Sequence, residues 1–196
     1  MNQEQALVTG GAGFIGSHLV ERLLGEGKRV VVIDDCSTGR EENLASCQSN
    51  SSFRFIKSKV SSFAELNDLV QNSTVVYHLA AAVGVELVVR SPIRTIETNL
   101  KEAQSILQAA SLKKTPVLMA STSEVYGKSH HSVFTETDDL VIGPPHLGRW
   151  SYACSKLMDE FLAISYFKEM GVPVVVARMF NTVGPRQTGQ YGMVLP

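Results

Sequence analysis

Tyr152 and Lys156 stand four residues apart in a stretch with helical patterning, Tyr152 to Glu169, so both project from one helix face. A lysine ammonium beside a phenol favours the phenolate and lowers its pKa. A tyrosine tuned in that way can take a substrate hydroxyl proton near neutral pH. Upstream, the segment Ala120-Ser121-Thr122-Ser123-Glu124-Val125-Tyr126-Gly127 closes an apolar run with hydroxyls and a carboxylate. Ligands of parallel sheets bind at the carboxyl ends of the strands, so Thr122, Ser123 and Glu124 are expected to meet Tyr152 there. Taken singly, the tyrosine-lysine spacing is a chance pattern, Ser121 to Ser123 a hydroxyl-rich turn, and Glu124 a surface carboxylate. Together and in chain order they point to catalysis.

A second constellation lies near the N-terminus. Gly10, Gly13 and Gly16 follow a short apolar run and open a helical pattern. In such a loop the first glycine permits a tight turn, the second lets backbone approach a pyrophosphate, and the third lets helix and strand pack closely. The helix N-terminus then offers free N–H groups to phosphate. Gly10, Gly13, Phe14, Ile15 and Gly16 are therefore candidate cofactor contacts. Asp34 falls at the end of the next apolar run, eighteen residues after Gly16. A carboxylate there accepts hydrogen bonds from both adenosine ribose hydroxyls and repels a 2′-phosphate, which favours NAD over NADP. Asp34 also suits a simple strand-ending turn.

Strands alternating with helices must carry these residues. Apolar runs at Ala6–Thr9, Arg29–Ile33, Phe53–Ile56, Val75–Leu79, Pro116–Ala120 and Val172–Ala177 predict six strands. Helical spacing covers Ser17–Gly25, Phe63–Val70, Ile93–Ser111 and Tyr152–Glu169, with Gly27 capping the first. This alternation predicts βαβ units in an α/β fold with a doubly wound parallel sheet. Arg40–Ser52 reads as a polar loop with a short helical turn. Lys128–Trp150 is a long connection of the kind that carries function.

The composition narrows the field. The chain has 196 residues, 44% hydrophobic, with 18 basic and 19 acidic residues scattered along it. No basic cluster asks for nucleic acid, and no apolar stretch has the length of a membrane span. Cys36, Cys47 and Cys154 show neither disulfide-framework nor zinc-ligand spacing, so no metal is expected and a reducing, cytoplasmic setting is.

The segments TGGAGFIGSH (Thr9–His18), VIDD (Val32–Asp35), VYHLAA (Val75–Ala81), STSEVYG (Ser121–Gly127), YACSK (Tyr152–Lys156) and RMFNTVGPR (Arg178–Arg186) resemble the extended short-chain dehydrogenase/reductases, specifically the nucleotide-sugar epimerase/dehydratase family. The resemblance implies a Rossmann-like domain over residues 1–180 and the start of a truncated substrate-binding region over 181–196. It implies Tyr152 as base, Lys156 as its partner at the nicotinamide ribose, and Thr122 bonded to the sugar's reacting oxygen. Ser123 and Asn181 would contact substrate, the latter near its diphosphate. Leu79, Ala80 and Ala81 would line the cofactor cleft, with Asn99 on the helix behind. The first three also read as core, and Asn99 as a satisfied helix polar group.

The implied reaction is transient C4 oxidation of a UDP-sugar by NAD, with 4-epimerisation expected first. The Thr-Ser-Glu segment and Gly143–Tyr152 (GPPHLGRWSY) resemble the uronate decarboxylases, which makes decarboxylation the alternative. A third reading is a non-catalytic NAD-binding module. A homodimer through the two long helices is expected by the same resemblance. Two departures stand out. Lys59 occupies the place of an aspartate that accepts from the adenine amino group, and a lysine cannot accept that bond. Leu-Lys-Glu-Ala follows Asn99 where a glycine usually permits close packing.

Overall fold

The computed structural model describes residues 3–84, 88, 90–129 and 131–187. The expected region 181–196 is thus seen only as far as Gln187. The strands are β1 (Gln5–Thr9), β2 (Arg29–Asp34), β3 (Phe53–Lys57), β4 (Val75–His78), β5 (Val117–Thr122) and β6 (Val174–Met179). The helices are α1 (Phe14–Gly25), α2 (Leu66–Gln71), α3 (Pro92–Ser111) and α4 (Trp150–Met170). The six strands form one sheet in the order β3-β2-β1-β4-β5-β6, and every pairing is parallel.

The apolar strand sequences explain the layering. In β1 and β2 successive residues point to opposite faces, and both faces are covered. Leu7, Val31 and Ile33 join Ala103, Ile106 and Leu107 of α3 and Ala163 of α4 in one core. Ala6, Val8, Val30 and Val32 join Val20 and Leu23 of α1, with Leu44 and Cys47, in the other. Leu44 and Cys47 come from a 3-10 turn, Glu41–Cys47, inside the loop expected after β2. Helix α1 ends at Gly25, and Gly27 follows with φ +78°. Helix α4 likewise stops at Gly171, whose left-handed backbone turns the chain into β6. The chain winds outward from β1 in one direction and from β4 in the other. Their carboxyl ends therefore diverge and open a crevice at that switch point.

The helix expected over Phe63–Val70 starts later, at Leu66, because residues 60–62 form a 3-10 turn. That turn is held by Glu102 of α3, whose carboxylate accepts from the Ser61 N–H at 3.0 Å and the Ser61 hydroxyl at 2.6 Å. Glu102 is buried. Glu102, within the Leu-Lys-Glu-Ala stretch that follows Asn99, thus bonds the neighbouring turn.

Candidate active site

The crevice is a cleft of about 460 Å³, with Gly10, Gly13 and Asp34 at one end and Tyr152 and Lys156 at the other. Gly10 has φ +73°, and its N–H donates to the Ile33 carbonyl at 2.9 Å. A Cβ on Gly10 would lie 2.7 Å from the Ala80 nitrogen, and one on Gly16 would collide with the Gly10 carbonyl. A Cβ on Gly13 would meet only that carbonyl, at 3.2 Å, within the protein. Gly10 and Gly16 are therefore required by the fold, whereas Gly13 leaves space on the cleft. Phe14 and Ile15 line it as well.

Asp34 ends β2 on this crevice. Its carboxylate accepts the Ala12 N–H at 2.9 Å and the Cys36 N–H at 2.8 Å. Burial raises its pKa, and these two backbone donors oppose the rise. It thereby pins the glycine loop, while each oxygen keeps a second lone pair for a ligand hydroxyl. Lys59 lies exposed on the same end of the cleft.

Leu79, Ala80 and Ala81 line the cleft after β4. His78 is fully buried beneath them, and burial with the nearby Lys156 charge lowers its pKa to about 3, so its ring is neutral. The Thr9 hydroxyl accepts the Ala80 N–H at 3.2 Å and contacts His78 Nδ1 at 2.8 Å. Through these two contacts Thr9 ties His78 to the Ala80 backbone and fixes the β4 exit. Asn99 does not line the cleft. Its Oδ1 accepts the Ala82 N–H at 2.7 Å, and its amide donates to Ser155 Oγ at 3.0 Å. Ser155 donates in turn to the Tyr152 carbonyl at 2.8 Å. Asn99 thus ties the cleft wall to the first turn of α4.

Tyr152 sits in that first turn, with Thr122 at the end of β5 near enough for its hydroxyl to act on the phenol. The Thr122 hydroxyl also accepts the Glu124 N–H at 3.2 Å, which starts the 3-10 turn Ser123–Tyr126. Burial raises the phenol pKa, the Glu124 charge adds to the rise, and the Thr122 hydrogen bond opposes it. Here the chain differs from the expectation of a lysine-activated phenolate. Lys156 Nζ donates to Asp159 Oδ2 at 2.8 Å, and both side chains are buried. Asp159 lies three residues on along the same helix and engages the ammonium, so Tyr152 stays protonated. Glu124 is exposed at the rim, and partial burial of its carboxyl raises its pKa against the pull of Arg149.

Ser121 lines the cleft with Tyr152 and is buried. Its hydroxyl donates to Glu160 at 2.5 Å, and Arg178 donates to both oxygens of the same carboxylate. This cluster joins β5, β6 and α4 and forms the floor of the site. Asn181 follows β6 and is exposed. It does not line the cleft among the described residues.

Beyond it, residues 184–187 cross back over α1. Arg186 donates to Glu21 at 2.6 Å and the His18 ring to the Pro185 carbonyl at 3.1 Å. Arg186 and Gln187 line the cleft beside the glycine loop. Arg186 Nη1 and Gln187 Nε2 are buried without hydrogen-bond partners among the described residues. Two orphaned donors beside a glycine loop fit the pyrophosphate of a dinucleotide, and Asp34 fits its ribose. No group of three or more possible metal ligands occurs among the described residues, and no described helix is long and apolar enough to cross a membrane.

Sequence reasoning missed Asp159, His78 and the Arg186–Gln187 pair. Asp159 was findable, since it stands at helical spacing from Lys156. The other two depend on where distant segments meet.

A doubly wound, Rossmann-like domain with a glycine loop and a tyrosine-lysine pair at its strand ends is thus in place. The chain belongs to the GDP-mannose 4,6 dehydratase family, which matches residues 7–194. It is 40% identical over 195 residues to a UDP-N-acetyl-alpha-D-glucosaminuronate decarboxylase of Bacillus cytotoxicus, covering 99% of this chain and 60% of that one. It is 38% identical to UDP-glucuronic acid decarboxylase 1 of Arabidopsis thaliana, covering 96% and 42%. Among solved structures, the UDP-N-acetylglucosamine 4-epimerase of Methanobrevibacter ruminantium M1, in complex with UDP-N-acetylmuramic acid, superposes with a TM-score of 0.86 at 30% identity, over 96% of this chain and 58% of that one. The dTDP-glucose 4,6-dehydratase DesIV of Streptomyces venezuelae, with NAD bound, gives 0.85 at 31% identity, over 93% and 57%. The chain therefore spans about 40 to 60% of the length of these relatives.

Proposed function

We propose that this chain is the cofactor-binding part of an enzyme that oxidises C4 of a UDP-hexuronate with NAD and releases the carboxyl group as carbon dioxide. The observation that carries it is the meeting of Tyr152 and Thr122 beside Glu124 at the end of the glycine-loop cleft. The kinship with two uronate decarboxylases over nearly the whole chain supports decarboxylation ahead of the 4-epimerisation expected first from sequence. Epimerisation is the second reading, supported by the likeness to solved 4-epimerases.

The glycine loop, Asp34, Arg186 and Gln187 hold NAD, and Lys156 holds its nicotinamide ribose. NAD supplies the hydride acceptor for C4. Tyr152 takes the proton of the C4 hydroxyl once a positive charge near it offsets the burial that now raises its pKa. Thr122 orients the same oxygen. Oxidation leaves a ketone β to the carboxylate, so the C5–C6 electron pair can pass into the carbonyl as carbon dioxide departs. The Tyr152 hydroxyl donates to the oxygen that gains this charge. Glu124, whose carboxyl burial holds above its ordinary pKa, would deliver a proton to C5 in place of the departed carboxyl, and the hydride taken from C4 would then return to C4, giving the UDP-pentose and restoring NAD. The same reading places a second copy of the chain against α3 and α4. Ile93 and Phe161 there are 71% and 61% exposed, and Met158 and Phe167 extend that apolar face.

Incubation with NAD and UDP-glucuronate labelled with carbon-13 at C6 tests the reaction by NMR. Labelled bicarbonate with a UDP-pentose is the expected result. A 4-epimeric uronate without label loss would support epimerisation instead. NAD binding without turnover of either kind would leave the non-catalytic reading.

A further inference from the structure

Two cations gather at the start of α4, just ahead of Tyr152, without a role in the chemistry above. Trp150 opens α4 two residues before Tyr152. The Arg149 guanidinium lies 5.0 Å from the indole centroid and Lys128 Nζ 5.9 Å from it. The platform is firmly built. Gly143 packs so tightly on the indole that any Cβ there would overlap the ring. The strand-like contact of Gly127 with Val141, and the Lys128 N–H donating to the Val141 carbonyl at 2.8 Å, hold the intervening loop against it. Among the described residues neither cation has an ion pair or a side-chain hydrogen bond. Both are exposed. Arg149 also pulls on the Glu124 carboxyl, against the rise that burial gives it.

We infer that Lys128 and Arg149, seated on Trp150, form the subsite that selects a sugar nucleotide carrying a carboxylate over its neutral hydroxymethyl counterpart. The inference rests on the function proposed above and names its specificity determinants. Two donors with no protein partner match a carboxylate, and stacking on the indole reduces the rotamer freedom that each must lose on binding. Their exposure also suits the reaction. A deeply buried ion pair would stabilise the carboxylate against loss as carbon dioxide, whereas cations on a wet rim capture it with a weaker hold. The diphosphate of the nucleotide is the competing anion, and it is common to both nucleotides of the test below.

Calorimetric titration in the presence of NAD compares UDP-glucuronate with UDP-glucose. The unmodified chain should prefer the uronate by roughly ten- to hundredfold, as charge-assisted hydrogen bonds give. The double variant Lys128→Met with Arg149→Met should lose most of that preference while its affinity for UDP-glucose holds, and Arg149→Lys should retain much of it. The preference of the unmodified chain should also fall steeply with added salt, which requires no variant to fold. Equal binding of both nucleotides, an unchanged ratio in the double variant, or a salt-insensitive preference would overturn the subsite and leave the function standing. An equal loss of UDP-glucose affinity would assign the cations to the diphosphate and overturn it too. Failure of the unmodified chain to bind either nucleotide would overturn both proposals.

Discussion

Replacing Asp159 tests whether Lys156 is held as the structure has it. The pair is 2.8 Å long, with side chains 3% and 1% exposed. At an effective dielectric of about 20, two unit charges at that distance attract by about 6 kcal/mol. Against this stands desolvation, which outweighs the lysine's pull and raises the Asp159 pKa. Asp159 Oδ1, moreover, has no hydrogen-bond partner among the described residues. The pair is thus poorly compensated, but removing half of it strands a buried ammonium. Breaking buried pairs in this way costs about 3–5 kcal/mol. At roughly 2–4 °C per kcal/mol for a chain of this size, Asp159→Asn should lower the melting temperature by roughly 6–20 °C. Urea denaturation followed by circular dichroism and by tryptophan fluorescence provides the free energy and checks two-state behaviour. The double variant Lys156→Met with Asp159→Leu should recover to within about 1 kcal/mol of the parent, because it removes both desolvation terms. A loss below about 1 kcal/mol in the single variant, or a double variant as unstable as the two singles combined, would refute the coupling.

Tyr152→Phe should abolish turnover and leave NAD affinity nearly intact; unchanged turnover would remove the phenol from the mechanism. Asp34→Asn should weaken NAD and narrow the discrimination against NADP, since it removes the charge that repels a 2′-phosphate; an unmoved cofactor preference would refute the ribose assignment. Arg186 and Ser46 hold Glu21 below its ordinary value of 4.5. Its contribution to stability is complete above that value and is lost as pH falls through the lowered one. Glu21→Gln should therefore flatten the acid limb of the stability profile below pH 4.5, and an unchanged limb would mean that the bridge to Arg186 adds nothing.

The strand and helix succession was legible because the central strands β1 and β2 are continuous apolar runs covered on both faces, which admit few other readings. Strand ends moved by a residue or two where a side chain intervened. β5 runs on to Thr122, two residues past its apolar run, because Ser121 and Thr122 are themselves buried, Ser121 against Glu160. The glycine loop was legible for a steric reason, since two of its three glycines admit no Cβ. The pairing of Lys156 was not, although its partner lies on the same helix. Spacing alone offers the ammonium both Tyr152 at i−4 and Asp159 at i+3, and only burial decides between a neutral phenol and a carboxylate. Arg186 was quoted within a motif, but its role depends on a fold-back across more than 160 residues to Glu21.

These choices bear on how the site can work. In the free chain the ammonium is committed to Asp159, His78 is neutral beneath the cleft, and the Tyr152 phenol is protonated. Each arrangement follows from burial, which disfavours an uncompensated charge. Burial and the neighbouring Glu124 both raise the phenol pKa, which disfavours a phenolate in the free chain. Under the function proposed above, a cofactor bound along the cleft would be engaged by the orphaned Arg186 and Gln187 donors and would bring positive charge toward the phenol, so that proton abstraction would depend on cofactor occupancy.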